Sequence, residues 1–218
     1  MDSKIFDKVH SFFIKYPKRS YPKDQILVFA GEDPEKIYYI ISGRVSVYYI
    51  SHRGDEVAVN SFKHPAYFPM SWALDKNKNT NGFFYKTDEP SIIHAASPRD
   101  VVVFLRKNPD VTFALLSDLY TSVDGMLDRF VHLMTGSAKS RIIHELIIEC
   151  HNFGVRRQDG STILAISEGK LGSYSGLARE TVSREIRYLK DRGLVRTESG
   201  KIIIISLKDL EKRLEEVI

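Results

Sequence analysis

The first half of the chain carries one helical pattern followed by a series of short strand patterns. Apolar residues recur at helical spacing between residues 4 and 16, which predicts an N-terminal helix. From residue 20 to 106 the apolar runs are short and separated by glycines and prolines, which predicts β-strands. The predicted strands are Gln25–Ala30, Lys36–Ser42, Arg44–Ile50, Glu56–Phe62, Phe83–Lys86, Ser91–Ala95 and Val101–Leu105. Short, evenly spaced strands are typical of an antiparallel sandwich, barrel or roll.

A long amphipathic helix is predicted after the strands, beginning at Pro109, a residue that the first turn of a helix tolerates. Its apolar residues alternate steps of three and four, as in the seam of a coiled coil. The seam positions are Leu116, Leu119, Val123, Met126, Phe130 and Leu133. This pattern favours a parallel dimer. The alternative is a helix packed on its own β domain, because Leu115, Tyr120 and Leu127 are apolar but lie outside the seam.

A glycine-containing break at residues 135–137 separates this helix from the last third of the chain. An amphipathic helix over Lys139–His151 and a short strand over Ile163–Ile166 are predicted next. The patterns therefore divide the chain into a β domain, a dimerisation helix and a second domain. The predicted boundaries of these three parts are 1–108, 109–135 and 136–218.

Residues 167–191 have the pattern of a helix-turn-helix. Ser167 is a good N-cap for a short first helix, Gly172 allows a second helix to pack closely, and Gly176 supplies a sharp turn. The second helix is predicted over Arg179–Asp191 and has one apolar face that can anchor it. That face consists of Val182, Ile186 and Leu189.

The opposite face of this second helix is polar and positively charged. It carries Arg179, Glu180, Ser183, Arg184 and Arg187. Arginine can donate two parallel hydrogen bonds to guanine, glutamate can accept one from cytosine, and serine can reach a phosphate. A helix that reads DNA needs both faces, because the apolar face fixes it while the polar face enters the major groove. The alternative is an ordinary solvated surface helix.

Two further patterns complete the last third of the chain. Residues 194–197 and 201–206 alternate as a hairpin around Glu198-Ser199-Gly200, which resembles the wing of a winged helix. Residues 207–217 carry an apolar stripe that predicts a final helix.

Composition and charge agree with a globular protein that contacts nucleic acid. The 218 residues are 43% hydrophobic and 28% charged, which is ordinary for a globular protein. The net charge is +4, and residues 170–201 alone contain eight basic and four acidic residues. Clustered positive charge points to nucleic acid. No apolar run approaches the length of a membrane-spanning helix and no signal peptide is present, which predicts a cytoplasmic protein without membrane contact.

The sequence predicts neither a catalytic site nor a metal site. It contains no glycine-rich phosphate loop, no His/Glu cluster at metal-binding spacing and no nucleophile motif. Its single cysteine, Cys150, cannot form an internal disulfide or hold an iron–sulfur cluster alone. Cys150 is interpreted as a structural residue, with thiol sensing as the alternative. An enzyme is therefore not expected.

The string Arg179-Glu180-Thr181-Val182-Ser183-Arg184 resembles the recognition-helix signature of the Crp/Fnr (catabolite-activator) family of bacterial transcription regulators. Residues 35–44, which include Ile40-Ile41-Ser42-Gly43, are similar to a strand and glycine turn in the β-roll of that family. The order of elements matches the family over nearly the whole chain. The resemblance implies an α+β fold with an N-terminal antiparallel β-roll of the jelly-roll, cyclic-nucleotide-binding-like type, a long dimerisation helix and a C-terminal winged helix-turn-helix.

The resemblance also implies partners and residue roles. Arg179, Glu180 and Arg184 are implied to read base edges. The residues implied to contact the DNA backbone are Ser167, Lys170, Thr181, Ser183, Arg187 and Lys201. Family members bind as homodimers to inverted repeats in double-stranded DNA, and RNA polymerase is a further expected partner.

The effector pocket departs from the family pattern. Cyclic-nucleotide-binding members hold the ribose with a Gly-Glu pair and the cyclic phosphate with a downstream Arg-Ser or Arg-Ala pair. Met70 and Ser71 replace the first pair in this sequence, and Asn81 and Gly82 replace the second. A buried phosphate needs a cation or helix-end amides, and a ribose hydroxyl needs an acceptor. We therefore predict that cyclic AMP does not bind.

What remains of the pocket is mostly aromatic and apolar. The residues assigned to it are Phe68, Met70, Ser71, Trp72, Asn81, Tyr85, Val123 and Leu127. Such a lining suits either a small hydrophobic or aromatic ligand or a pocket filled by its own side chains. No cofactor is predicted: an iron–sulfur sensor needs several cysteines, and the isolated His52, His64 and His94 do not indicate haem ligation.

These patterns together predict a dimeric, sequence-specific transcription regulator that is controlled by a ligand other than a cyclic nucleotide or by no ligand. The alternative is a sequence-tolerant architectural DNA-binding protein, which would show a steep salt dependence and little preference between sequences. A ligand-binding module that signals to a protein partner is less favoured, because the arginine-rich helix face would then have no role.

Overall fold

The computed structural model describes residues 2–54, 56–74 and 82–217. It contains two compact units, Met1–Ser122 and Val123–Ile218. Both units combine helices with antiparallel sheets, so the predicted α+β class is confirmed. Among the described residues, every helix is too short or too polar to cross a lipid bilayer.

The first unit is a β-roll with helices before and after its strands. Its strands are β1 (Lys18–Tyr21), β2 (Ile26–Val28), β3 (Ile37–Ser42), β4 (Arg44–Ile50), β5 (Glu56–Lys63), β6 (Tyr67–Phe68), β7 (Phe84–Thr87) and β8 (Ser91–Ala96). Within the described residues they form two four-stranded antiparallel sheets, with strand orders β1-β8-β3-β6 and β2-β7-β4-β5. The helices of this unit are α1 (Ser3–Phe13), α2 (Met70–Leu74), α3 (Pro98–Lys107) and the beginning of α4 (Pro109–Thr135). The predicted antiparallel roll is confirmed.

Alternate residues of β3 enter two different cores of this unit. Ile37 and Tyr39 pack in a cluster with Phe13 of α1 and Val101 of α3. Ile40, on the opposite face of the strand, packs in a cluster built from both sheets. The period of two along a strand therefore explains how a single strand joins the sheets to the helices.

The turn between β3 and β4 depends on Gly43. Its φ angle is 97°, in the region that favours glycine. A Cβ atom at this position would lie 2.7 Å from the Cα atom of Ser91 on the neighbouring strand β8. The glycine turn identified in the sequence is thus required by both backbone conformation and close packing.

The prediction of a strand over Val101–Leu105 is wrong, because these residues lie inside α3. The hydroxyl of Ser97 accepts a hydrogen bond from the backbone N–H of Asp100 at 3.1 Å, and Pro98 occupies the first turn. The two end residues of the segment are buried while Val103 is exposed, as expected for one face of a helix. Consecutive valines favour a strand by propensity, but the N-cap and the packing of one face outweigh that preference here.

The structure also contains four short elements that no sequence pattern predicted. They are β1, β6, α2 and, in the second unit, β9 (Val155–Arg156). Each has five residues or fewer. Elements this short do not complete the periodic patterns on which sequence prediction depends.

The second unit is a winged helix-turn-helix joined to the last turns of α4. Its helices are α5 (Ala138–Phe153), α6 (Glu168–Ser175), α7 (Arg179–Asp191) and α8 (Leu207–Glu215). Its further strands are β10 (Thr162–Leu164), β11 (Val195–Glu198) and β12 (Lys201–Ile204). With β9 they form an antiparallel sheet of order β11-β12-β10-β9. The predicted helix-turn-helix and wing are confirmed.

Helix α4 leaves its apolar face uncovered in the single chain. Val111 is the one buried residue of α4, all of which lies in the described part of the chain. The seam positions are exposed at Leu116, Leu119, Val123, Met126 and Phe130 and half-buried at Leu133. The helix ends at Thr135, and the hydroxyl of Ser137 then caps α5 by accepting from the backbone N–H of Ser140 at 3.2 Å. The predicted break after the long helix is therefore present.

Candidate nucleic-acid interface

Helix α6 has the caps that the sequence predicts. The hydroxyl of Ser167 accepts a hydrogen bond from the backbone N–H of Lys170 at 3.2 Å. Gly176 ends the helix in the left-handed conformation, with a φ of 65°. The N–H of Leu177 then donates to the carbonyl of Gly172 at 3.1 Å. The turn that leads from α6 to α7 is thereby fixed by backbone hydrogen bonds.

Gly172 determines how closely the two helices approach. A Cβ atom at this position would lie 2.8 Å from the carbonyl oxygen of Leu177 and 3.5 Å from a methyl group of Val182 on α7. The first distance is shorter than real Cβ contacts, so any larger residue must displace the turn. The predicted role of this glycine in close packing follows directly from these distances.

Helix α7 is held by one face and presents the other to solvent. Val182, Ile186 and Leu189 are at most 1% exposed. The polar residues that the sequence placed on the opposite face are all exposed, namely Arg179, Glu180, Ser183, Arg184 and Arg187. A rigidly anchored helix with an exposed arginine-rich face has the form of a DNA-reading helix.

The residues expected to contact the DNA backbone differ in their exposure and in the hydrogen bonds that they already make. Arg187 and Lys201 are exposed, whereas Thr181 and Lys170 are half-buried. The hydroxyl of Ser183 donates a hydrogen bond to the carboxylate of Glu168 on α6. The hydroxyl of Ser167 is occupied by the cap of α6, as described above. A phosphate contact by Ser183 therefore requires exchange of its bond to the carboxylate.

The wing is a tight hairpin with charged residues next to its turn. Ser199 and Gly200, with φ angles of 48° and 75°, form the turn between β11 and β12. Glu198 accepts from Arg157 at 2.8 Å and pairs with Arg196 at 3.0 Å. These ion pairs hold the end of β11 next to the turn, and Lys201 lies exposed directly after the turn.

An open cleft of about 510 Å³ separates the wing from the helix-turn-helix. Its lining includes Ser167 and Glu168 at the start of α6, Arg179 at the start of α7, and Ser199 in the wing. Lys190 also contributes to the lining. Sequence reasoning did not single out Lys190, because it lies well beyond the motif at the start of α7. The cleft brings cations of α7 and the wing turn to one surface.

A cluster of cations around Tyr188 ties the end of α7 to its neighbours. The Lys139 ammonium of α5 lies 3.9 Å from the centre of the tyrosine ring, and the Arg192 guanidinium lies 4.7 Å from it. Arg213 of α8 donates a hydrogen bond to the tyrosine hydroxyl. Contacts between cations and aromatic rings are favourable at these distances. The recognition helix is therefore braced at both ends, by the turn and by this cluster.

The aromatic residues assigned to the effector pocket occupy the interior of the roll. The ring of Phe68 stacks between Phe62 and Tyr85, with centroid distances of 5.2 and 5.4 Å. Phe68 is 1% exposed, and burial raises the pKa of Tyr85 to about 12. These side chains fill the space between the sheets with their own rings.

The other residues assigned to that pocket lie elsewhere or outside the description. Met70 packs against the cluster that contains the helices, and Ser71 is exposed. Trp72 lines a different, open groove of about 840 Å³ beside α3. Asn81 lies outside the described residues. Val123 and Leu127 are exposed residues of the second unit.

Comparisons with known proteins agree with this architecture. The model of the cyclic nucleotide-binding domain matches residues 18–103, and the model of the Crp-like helix-turn-helix domain matches residues 140–213. The chain is 24% identical over 189 residues to the global nitrogen regulator of Nostoc sp., covering 85% of this chain and 83% of that protein. It is 25% identical over 197 residues to the cAMP-activated global transcriptional regulator CRP of Haemophilus influenzae, covering 90% of this chain and 84% of that protein.

A solved structure shares the fold over nearly the whole chain. TTHA1359, a transcriptional regulator of the CRP/FNR family from Thermus thermophilus, is similar with a TM-score of 0.75 and 18% sequence identity. The similarity covers 93% of this chain and 100% of that chain. The family of the matched helix-turn-helix model and of these relatives consists of transcription regulators and not of enzymes. The protein, with its β-roll, long helix and winged helix-turn-helix in the matching order, belongs to the Crp/Fnr family of DNA-binding transcription regulators.

Proposed function

We propose that this protein is a homodimeric reader of inverted repeats in double-stranded DNA and that α7 enters the major groove. The observation that carries the proposal is the exposed face with Arg179, Glu180 and Arg184, opposite an apolar face that is at most 1% exposed. An anchored helix can hold these side chains in a fixed register against base edges. Two arginines and a glutamate also offer the donors and the acceptor that discriminate guanine and cytosine.

The remaining contacts are assigned to the phosphate backbone. Arg187, further along α7, and Lys201, in the wing, are exposed cations, so they are suited to phosphates. Lys170 lies in the first turn of α6, and Thr181 and Ser183 lie in the first turns of α7. In this assignment Ser183 exchanges its bond with the carboxylate of Glu168 for one with a phosphate. Ser167 contributes through the start of α6, whose free N–H groups favour an anion.

We assign the dimer seam to the uncovered apolar face of α4. The seam residues alternate by three and four positions, and all of them are exposed or half-buried in the single chain. Burying such a stripe against a second copy is the usual solution for a long amphipathic helix. This assignment supports a division of the chain into 1–108, 109–135 and 136–218, with the central helix serving the dimer.

We propose that cyclic AMP does not control this regulator, although one relative is named as cAMP-activated. Met70 and Ser71 offer neither the carboxylate nor the cation that a buried cyclic nucleotide needs. The stacked rings of Phe62, Phe68 and Tyr85 support a roll whose interior is filled by its own side chains. A small hydrophobic or aromatic ligand is the alternative. Titration calorimetry with millimolar cyclic AMP should give no saturable heat, and a clear saturable heat would refute this assignment.

The proposed setting is the bacterial cytoplasm, where a regulator meets duplex DNA and RNA polymerase. We propose RNA polymerase as a further partner on the basis of family membership.

Selection of bound duplexes from a random library, with the purified full chain, tests the proposed function. The expected result is an enriched inverted repeat whose half-sites lie about one helical turn apart. A parallel selection in the presence of a cell metabolite extract shows whether a ligand is needed for that enrichment. Binding without any enriched motif in either arm, with a steep salt dependence, would instead identify a sequence-tolerant architectural protein.

A further inference from the structure

Two histidines and an aspartate converge where the end of α4 meets α5. Asp128 and His132 are one helical turn apart on α4, and His144 approaches them from α5. The Nε2 atom of His144 lies 2.7 Å from one carboxylate oxygen of Asp128, and the Nε2 atom of His132 lies 3.9 Å from the other. One donor atom from each side chain can be chosen so that all three lie within 4.8 Å of one another.

Only one of the two histidines is close enough to Asp128 for a hydrogen bond. The distance from His144 to Asp128 is that of a strong hydrogen bond, but the distance from His132 is beyond hydrogen-bond range. The two imidazole rings are nevertheless in contact, with centroids 3.9 Å apart. Two imidazole nitrogens close to one carboxylate are suited to bind a shared metal cation.

The burial of the three side chains matches what a metal ligand set needs. The side chains of His144 and His132 are 6% and 13% exposed, whereas that of Asp128 is 63% exposed. The imidazoles are therefore held in place by packing, and the carboxylate side remains open for an ion to enter.

A neighbouring cation, Arg129, is paired with a carboxylate of its own. Arg129 follows Asp128 on α4, but its guanidinium donates to both carboxylate oxygens of Glu145 on α5, at 2.7 and 3.0 Å. That bidentate pair neutralises the arginine. The charge of Arg129 is therefore offset, at least in part, by the carboxylate of Glu145.

We propose that Asp128, His132 and His144 form a binding site for a divalent first-row transition-metal ion of the Zn²⁺ type. Two imidazole nitrogens and one carboxylate oxygen are ligands that Zn²⁺, Fe²⁺ and Ni²⁺ accept, whereas Mg²⁺ and Ca²⁺ prefer oxygen alone. Tetrahedral Zn²⁺ with bonds of about 2.0–2.1 Å places its ligands about 3.3 Å apart. The observed distances of 2.7 and 3.9 Å each differ from that spacing by about 0.6 Å, in opposite directions.

Such an ion would join the last turns of α4 to α5 across the break at residues 135–137. A solvent molecule would complete its coordination, because the chain supplies three ligands here. The site does not depend on the DNA-binding function proposed above, so the two can fail separately.

Metal binding by the full chain, without an affinity tag, tests this site. We expect equilibrium dialysis to give one Zn²⁺ per chain and Co²⁺ to give the visible absorption of a low-coordinate site. His132→Ala removes one ligand from a largely exposed helix, and Asp128→Asn keeps a hydrogen-bond acceptor for His144 while removing the charge. Both variants should weaken binding at least tenfold. His151→Ala is the matched control, because His151 also pairs with a carboxylate, at 3.4 Å from Glu211, but outside this cluster.

Three results would overturn the proposal. One is a wild-type chain that binds no stoichiometric Zn²⁺ or Co²⁺. Another is binding that survives unchanged in both His132→Ala and Asp128→Asn. The third is an equal loss in His151→Ala, which would indicate general surface binding. Thermal unfolding of each variant without metal confirms that it is folded, so that lost binding is not attributed to a lost fold.

Discussion

Replacing Arg179 and Lys201 separately tests whether base reading and backbone contact are divided as proposed. Both side chains are exposed, so truncation to alanine leaves the core of the domain intact. Arg179 starts α7, whereas Lys201 follows the turn of the wing. We expect Arg179→Ala to relax the choice of one base pair in each half-site. We expect Lys201→Ala to weaken binding to all sequences about equally.

The magnitudes follow from the number of contacts in a dimer. Loss of an arginine that donates two hydrogen bonds to a guanine costs about 1–3 kcal/mol per half-site, which corresponds to about 5- to 150-fold in affinity. Two identical half-sites roughly double that free energy on an inverted repeat. A lysine that neutralises one phosphate contributes about 0.9 to the slope of log K against log salt, so Lys201→Ala should reduce this slope by about 2 in the dimer.

Fluorescence anisotropy supplies the measurement, with the selected inverted repeat and a series of single-base variants at several salt concentrations. Lys208→Ala removes an exposed charge from α8 and serves as the control, with little expected effect. If Arg179→Ala and Lys201→Ala weakened every sequence by the same factor, the assignment of base reading to Arg179 would be wrong. If Lys208→Ala changed the salt slope as much as Lys201→Ala, the wing contact would be wrong.

Three further predictions address the dimer, the turn and the cysteine. Phe130→Glu changes a seam residue and should convert the dimer to a monomer in sedimentation experiments. Thr121→Glu, on the opposite face of α4, is the control and should leave the dimer intact. A monomeric wild-type protein would refute the seam. Gly172→Ala should destabilise the fold by about 1–3 kcal/mol in thermal unfolding, because the new Cβ atom would lie 2.8 Å from the carbonyl oxygen of Leu177. Gly169→Ala in the same helix is the control and should not destabilise the fold, because its Cβ atom would have no contact closer than 4.0 Å. Burial raises the pKa of Cys150 to about 12, so its thiolate fraction at pH 8 is roughly a thousandfold below that of an ordinary thiol. Alkylation by iodoacetamide should therefore be slow in the folded chain and fast after unfolding in urea; rapid alkylation of the folded chain would support the thiol-sensing alternative.

Local signals explain which parts of the fold could be predicted. Helix α7 was placed correctly because Gly176 and its apolar face determine its start and its buried side within the segment itself. The segment Val101–Leu105 was placed wrongly because its propensity favours a strand, while the deciding bond lies upstream, between Ser97 and Asp100. Attention to the cap residue would have corrected this error.

The sites could be predicted only where they lie within one segment. The arginine face of α7 is a pattern on a single helix, so it is visible in the sequence. The cluster of Asp128, His132 and His144 joins two helices across a break, and no metal site was predicted for it. The four-residue spacing of Asp128 and His132 was the available signal, but the position of His144 depends on how α5 packs against α4. Tertiary packing, not local pattern, creates this kind of site.

The same packing determines how the dimer helix communicates with the DNA-binding surface. Phe130 lies on the exposed seam, and its neighbour Arg129 forms a pair with Glu145 of α5, whose side chain is 3% exposed. Burial raises the pKa of Glu145, while the charge of Arg129 opposes that rise. The Arg129 guanidinium also lies 5.1 Å from the centre of the Tyr174 ring in α6.

Removing one partner of such a buried pair is costly, so the last turns of α4 are tied to both helices that carry the recognition helix. We therefore expect the recognition helix to follow the end of α4 when α4 moves. In a dimer, the spacing of the two recognition helices is then governed by how the two copies of α4 cross along their seam. A ligand or a modification that alters this crossing would change affinity for an inverted repeat without changing any residue that touches DNA.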